Sequence, residues 1–291
     1  MPLELGLVKL ITSFILGAAQ FGQDYGVMGN AFTPEVMLEN LMQDPQTFGI
    51  NGIDTSPTYG SSEKLIGKYA SKEILISTKV KGTDDPSQIT QSISKSLRQL
   101  KRPKLDNVII HNWDQLNIEE RDATLTQLLK LQENGLIHEI GISTYSLLKP
   151  AEVDNLPKLI SNIQLPLSVL DQRRLESIKK IKNTSSLKVF ARSVFLQGVA
   201  TLGMNDPRFN SNSSLKKLWL WCETQKITAA EACLWFVASR AELDSFVIGI
   251  KSMSEAHGVK KGLDDIERIN DLDFTHLSSQ DKWLLDPVNW S

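Results

Sequence analysis

"GIDTSPTYGSSEKLIG" (residues 52–67) holds one complete unit of a pattern that runs along the chain. An apolar stretch ends in Asp54, a Thr-Ser-Pro-Thr segment turns the chain, Tyr59 stands before a Gly-Ser-Ser turn, and a helix-like segment follows. Strand-to-helix loops take Pro, Gly and Ser for geometric reasons, so those residues alone carry no chemistry. The acid and the tyrosine, five positions apart, are either further turn residues or two members of a catalytic set.

On both sides of this stretch the unit recurs. Apolar, β-branched runs fall at 14–17, 49–54, 74–80, 105–111, 136–143, 159–164, 187–191 and 246–250, with 7–11 as an extra strand ahead of the first. Their apolar character is continuous rather than alternating, as in strands covered on both faces. Helix signals lie between them. Thr33 caps ahead of Pro34, and Asp85 precedes Pro86 in the same way. Asn117 with Glu120, Thr228 with Glu231 and Ser252 with Glu255 have capping-box spacing. Leu125, Leu128, Leu129 and Leu131 form an apolar stripe that stops at Gly135, which suits a left-handed helix end. Strand and helix alternating about eight times predict a parallel α/β fold. At 291 residues a single (β/α)8 barrel domain over 1–291, ending in a helical tail, fits better than an open doubly wound sheet. The connection from 192 to 214 is long enough to be a lid or a disordered segment.

Hydrophobic residues make up 41% and charged residues 23%, with a net charge of -2 and no basic run. This is the profile of an ordinary globular protein, with nothing that points to nucleic acid or an anionic membrane surface. Cys222 and Cys233 are expected as reduced thiols in helices. "LVKLITSFILGAAQ" (7–20) ends in small residues like a signal peptide, but Glu4 weakens the basic flank and Thr12 and Ser13 interrupt the run. It is also too short to span a bilayer. We therefore expect a cytoplasmic protein, monomeric or a small homo-oligomer.

The sequence has no G-x-G-x-x-G after a strand, no P-loop, no H-E-x-x-H and no G-x-S-x-G, and histidines at 111, 138, 257 and 276 lack metal-ligand spacing. These absences disfavour a Rossmann dehydrogenase, a zinc enzyme and an α/β hydrolase. What remains is position, because barrel active sites form at the C-terminal ends of the strands. Those ends carry Asp54 with Tyr59 in its loop, Lys79, His111, Ser143 with Thr144, and Gln164. A lone lysine or histidine there is usually solvated or structural. Four convergent ionisable groups on three adjacent strands are a functional-site signature.

In these residues the chain resembles the aldo-keto reductases over nearly its whole length. The opening stretch is similar to that family's Asp-to-Tyr signature. "ISTKV" (76–80) and "VIIHNWD" (108–114) resemble the strands carrying its lysine and histidine. "ILGAAQFG" (15–22), "LIHEIGIST" (136–144), "NIQLPLSVLD" (162–171) and "ARSVFLQG" (191–198) resemble its first, fifth, sixth and seventh strands. The resemblance implies hydride transfer from NADPH or NADH to the carbonyl of a small aldehyde, ketone or sugar, or the reverse oxidation, with Tyr59 as proton donor. A free phenol titrates near pH 10, and a lysine cation a few ångströms away favours its phenolate. Asp54 would hold that lysine, Lys79, charged and aimed. His111 would donate a hydrogen bond to the carbonyl oxygen.

The resemblance also implies cofactor contacts. Ser143 and Gln164 match residues that hold the nicotinamide carboxamide, with Thr144 where an Asn is common. Arg192 replaces the aromatic residue on which the nicotinamide stacks, and a guanidinium plane can also cover a ring. Gln20 is expected on the cofactor, and Ser193, Phe195 and Gln197 along its pyrophosphate, with loop capping and core packing as the plain alternatives. Lys251 and Ser252, at a helix start, form an anion site for an adenosine 2′-phosphate, which favours NADPH. The family's usual Arg, Glu and Asn are not clearly present there, and Glu255, His257 and Lys260 stand instead. Tyr25 and Trp113 would shape the substrate pocket unless they only pack. Trp283 and Trp290 are read as pinning a terminal helix, and His138, His257 and His276 as structural or surface residues. Two other readings are a nicotinamide-binding regulatory subunit and a barrel lyase using Lys79 as a Schiff-base nucleophile.

Overall fold

In the computed structural model, which describes residues 10–24, 26–27, 34–146 and 155–286, the apolar runs form eight parallel strands closed in chain order. They are β1 (Phe14–Gly17), β2 (Ile50–Asp54), β3 (Leu75–Val80), β4 (Leu105–Ile110), β5 (Ile137–Ser143), β6 (Asn162–Pro166), β7 (Lys188–Arg192) and β8 (Ser245–Gly249). β8 closes on β1, pairing Val247 with Ile15 and Gly249 with Gly17. This is the expected (β/α)8 barrel.

Alternation along the strands separates two faces. Leu16, Ile53, Thr78, Ile110, Ile142, Leu165, Ala191 and Ile248 are buried. One position on from most of these, Gly17, Asp54, Lys79, Ser143, Arg192 and Gly249 line a cavity at the C-terminal end of the barrel. Both faces are covered, so the sequence shows no alternation until the polar strand ends.

Some boundaries differ from expectation. β6 begins at Asn162 rather than 159, because a turn closed by the Ile160 N–H on the Pro157 carbonyl (2.9 Å) precedes it. Of the expected extra strand, 7–9 lie outside the described residues and Leu10 and Ile11 are not in a strand. The Ile11 N–H instead reaches Ala238 O at 2.9 Å.

The helix starts follow the caps. Pro34 opens the helix Pro34–Gln43, while Thr33 lies outside the described residues. Asp85 accepts from the Ser87 N–H ahead of Pro86–Leu100. Reciprocal capping boxes start Ile118–Glu133 and Ala229–Ala238. Ser252 accepts from the Glu255 N–H, but the Glu255 carboxylate turns to the Lys251 N–H (2.7 Å), so the third box is only half made. Gly135, at φ 73°, ends Ile118–Glu133. Leu125, Leu128 and Leu131 are buried in that helix, whereas Leu129 is 40% exposed and leaves the stripe.

The long connection after β7 is ordered. Ser193, Leu196 and Gln197 take left-handed backbone, and the short turn Leu196–Thr201 buries Leu196, Val199 and Ala200. The Trp219 indole N–H donates to Ala200 O at 2.8 Å. In the helical tail, Phe274 packs on Trp221 (5.4 Å between ring centroids), and Leu284 and Leu285 are buried. Trp283 is half exposed and meets Phe209, and Trp290 lies outside the described residues. Cys222 and Cys233 are buried free thiols, and burial pushes the Cys222 pKa up to about 12. Among the described residues no helix is long and apolar enough to cross a membrane.

Candidate active site

The cavity at the C-terminal strand ends has a volume of about 770 Å³, and Asp54, Tyr59, Lys79 and His111 all line it. Lys79 and Asp54 form a buried ion pair, from β3 and β2. The Lys79 ammonium also donates to Thr55 O (3.0 Å), and the second Asp54 oxygen accepts from the Gln164 amide (2.8 Å). Burial alone would favour neutral Lys79, but Asp54 and then Tyr59 outweigh it, and the pKa lies above the ordinary lysine value. The ammonium stands 5.1 Å from the Tyr59 ring centroid. His111 is shifted the other way. Desolvation, then the charges of Lys79 and Arg192, lower its pKa to about 4, with Asp54 opposing. Its ring is open to solvent through the cavity mouth, and the imidazole is neutral at pH 7.

Two glycines set the position of the Tyr59 loop. A Cβ on Gly22 would fall 1.6 Å from the Tyr59 carbonyl oxygen, and one on Gly60, at φ 52°, would fall 2.1 Å from the Gly22 oxygen. The β1 and β2 loops therefore meet backbone to backbone. Ser62 joins them as well, donating from Oγ to Ala18 O and contacting the Thr55 hydroxyl, both at 2.9 Å.

Ser143 and Gln164 are partners in the β5–β6 register and line the cavity together. Among the described residues the Ser143 hydroxyl and the Gln164 side-chain Oε1 have no partner, while the Gln164 backbone oxygen accepts from the Thr144 N–H (3.0 Å). Thr144 is committed to Asp114, its hydroxyl donating at 2.6 Å. Gln20 lines the cavity and donates to Ile250 O (3.0 Å). Arg192, Ser193, Phe195, Gln197 and Lys251 also line it, with Phe195 half-buried against the core. Ser252 does not; its hydroxyl caps the helix Met253–Asp264. Trp113 is buried beneath the Arg121 guanidinium (4.5 Å) and stays off the cavity wall. Tyr25 lies outside the described residues. His257 packs edge-on to Phe48 and His276 to Trp221. Among the described residues no group of three His, Cys, Asp or Glu side chains is placed to hold a metal.

The sequence reading missed two features. Tyr145 lines the cavity with its ring 4.0 Å from the Arg192 guanidinium carbon. Its N–H donates to Asp114 (2.6 Å), and Arg174 donates to its carbonyl. The second feature joins the β1 and β7 loops. The Val27 N–H donates to Gln197 O (3.2 Å), and Arg208 donates to Val27 O (2.7 Å). Only the polar character of "HNWD" and "STYS" hinted at the first, and nothing local hinted at the second.

Comparison with known proteins shows the family. Residues 13–277 match the Aldo/keto reductase family, and the chain belongs to it. It is therefore an oxidoreductase of carbonyl–alcohol chemistry. D-arabinose 1-dehydrogenase of Saccharomyces cerevisiae is 25% identical over 309 residues, covering 96% of this chain and 89% of that protein. An uncharacterized oxidoreductase of Schizosaccharomyces pombe is 31% identical over 139 residues, covering 43% of this chain and 46% of its own. Among solved structures, an aldo-keto reductase from Bacillus halodurans in its holo form superposes with a TM-score of 0.70 at 19% identity, over 93% of this chain and 95% of its own. Glycerol dehydrogenase from Gluconobacter oxydans gives 0.66 at 21%, over 89% and 93%. At those identities the structures speak for the fold alone.

Proposed function

We propose that this chain is a nicotinamide-dependent reductase of small carbonyl compounds in which Tyr59 gives up the proton. The observation that carries this reading is the buried Asp54–Lys79 pair set beside Tyr59, with a neutral His111 on the same cavity.

The cavity suits a nicotinamide by its donor set. A primary amide needs a donor for its carbonyl and an acceptor for its N–H groups, and the Ser143 hydroxyl with the Gln164 side-chain Oε1 supplies both. When bound, the cofactor supplies the hydride. The chain's own residues handle the oxygen side of the reaction. Neutral His111 donates an N–H to the carbonyl oxygen and steadies negative charge as it grows there. Tyr59 passes its hydroxyl proton to the same oxygen, and the Lys79 cation stabilises the phenolate left behind. Asp54 keeps that cation charged where burial would neutralise it, and the Gln164 amide holds the second Asp54 oxygen. A lysine kept charged in this way is a poor Schiff-base nucleophile, which counts against the lyase reading.

The choice between NADPH and NADH turns on Lys251 against Glu255. A cation there favours a 2′-phosphate, and the Glu255 carboxylate, already on the Lys251 N–H, opposes it. Titration with both cofactors decides between them.

Tyr59→Phe tests the proton donor. It should lower kcat by about 10²- to 10⁴-fold, the usual contribution of a positioned acid, while cofactor Kd stays near wild type. Strong retained reduction in that variant would refute the assignment.

A further inference from the structure

Asp114 stands three residues past His111, in the short turn Trp113–Gln115 that follows β4. The base of this turn is fixed on two sides. Trp113 is buried, and Arg121 donates to its carbonyl at 3.2 Å. Asn112 bonds both backbone groups of Gly82 in the loop after β3, accepting from the N–H at 2.7 Å and donating to the carbonyl at 3.2 Å.

From that base the Asp114 carboxylate takes four hydrogen bonds from three consecutive residues of the loop after β5. Oδ1 accepts from the hydroxyls of Thr144 (2.6 Å) and Ser146 (3.0 Å), and Oδ2 from the N–H groups of Tyr145 (2.6 Å) and Ser146 (3.3 Å). A carboxylate has about four acceptor positions, so these donors fill it. Pairing with β6 holds the chain only as far as the Thr144 N–H, which reaches Gln164 O at 3.0 Å. Past that point Asp114 takes over, joined by Arg174 on the Tyr145 carbonyl.

The residues on either side of Thr144 face the cavity. Ser143 carries the hydroxyl that suits a nicotinamide carboxamide. Tyr145 covers one face of the Arg192 guanidinium at 4.0 Å, and Arg192 stands where the nicotinamide ring stacks in the family. Thr144 itself, where an Asn is common, is buried and commits its hydroxyl to Asp114. Asp114 does not line the cavity. One carboxylate outside the site thus fixes the stretch of chain that carries both ring contacts.

We propose that Asp114 is a positioning residue for the nicotinamide end of the cofactor, holding Ser143 for the carboxamide and Tyr145 behind Arg192. The proposal rests on the nicotinamide-dependent reading above.

Two ligands test it: the preferred nicotinamide cofactor, and the ADP-ribose part of that cofactor without its ring, carrying the 2′-phosphate where the cofactor does. Calorimetric titration of the wild-type chain should show the whole cofactor bound tighter than its part, and the ratio of the two Kd values reads the ring contacts. Asp114→Asn keeps the shape but puts N–H groups where two of the four donors need an acceptor. That variant should weaken the whole cofactor by about threefold to tenfold, the worth of one neutral hydrogen bond, and leave the Kd of the ADP-ribose part unchanged. Its kcat should fall with little change in substrate KM, because a ring out of line reacts more slowly once bound. Thr144→Val deletes one donor without changing the side-chain shape, and should move the same Kd ratio by about twofold to threefold. Equal weakening of both ligands would make Asp114 a support of the whole fold. No weakening of either would free the ring contacts from it. Each of these results overturns the proposal and leaves the nicotinamide reading standing. A wild-type chain that binds the cofactor no tighter than its ADP-ribose part would sink that reading, and the proposal with it.

Discussion

His111 shows how far a single residue departs from its ordinary chemistry. An ordinary imidazole is half protonated near pH 6.5, and a protonated ring beside Lys79 and Arg192 would add a third positive charge. Desolvation and those two cations disfavour that proton and hold the pKa down to about 4. A lowered histidine pKa means the neutral ring persists as the solution is acidified. The kcat/KM for reduction, measured at saturating cofactor, should therefore run level through pH 6.5 and fall only towards pH 4. An inflection near 6.5 assigned to His111 would show that the ring titrates normally. At this scale the proposed catalytic set was legible because each member stands at or just beyond a strand end, and strand ends can be read from hydrophobic runs. Tyr145 and Asp114 were not legible. Their bond joins loops 31 residues apart, and neither loop has a pattern naming the other. Ser252 and Trp113 were legible as polar and aromatic rim residues, but a helix cap and burial beneath Arg121 take up their side chains.

Between elements, the contact that matters most to the chemistry is the backbone meeting of the β1 and β2 loops at Gly22 and Gly60. Each glycine's missing Cβ leaves room for the other loop's carbonyl, and an added Cβ would stand only 1.6 or 2.1 Å from that oxygen. Neither oxygen can swing aside as a flexible side chain would, so Gly22→Ala has to push the loops apart. The expected cost is about 1–3 kcal/mol of stability, as for other overpacked sites. Activity should suffer more, because displacing Tyr59 by about 1 Å is enough for a 10²-fold loss in rate. Denaturant unfolding and kcat measured together check this, and an alanine variant with wild-type kcat would show that the loops do not set the tyrosine. The capping boxes show the same limit of element-scale reading. Three were predicted from spacing and two formed completely. At the third, the spacing was right, but the Glu255 carboxylate found the Lys251 N–H one residue earlier.

Across the whole molecule, the barrel was legible because every strand is covered on both faces, so each reads as an unbroken apolar run. The layer between barrel and helices was less legible, and it contains a buried acid. Glu63, on the helix Ser62–Tyr69, is 1% exposed. One carboxyl oxygen accepts from the Thr78 hydroxyl on β3 (2.7 Å), and the other is buried with no hydrogen-bond partner among the described residues. Burial raises its pKa, with Thr78, Ser96 and Lys95 opposing. A carboxyl with a raised folded-state pKa binds its proton more tightly folded than unfolded. Its contribution to stability is thus complete below the unfolded value near 4.5 and is lost as pH rises through the folded value. Each tenfold change in proton affinity amounts to about 1.4 kcal/mol, or a few degrees in Tm for a chain of this size. Glu63→Gln removes the titration and keeps the shape. Relative to wild type, that variant should gain thermal stability as pH rises from 4.5 to the folded-state value and level off beyond it, as the wild-type carboxyl is forced to ionise inside the layer. Thermal unfolding of both proteins across that range measures the difference directly. A gap that stays constant with pH would show that Glu63 ionises folded as easily as unfolded, and that the layer admits its charge.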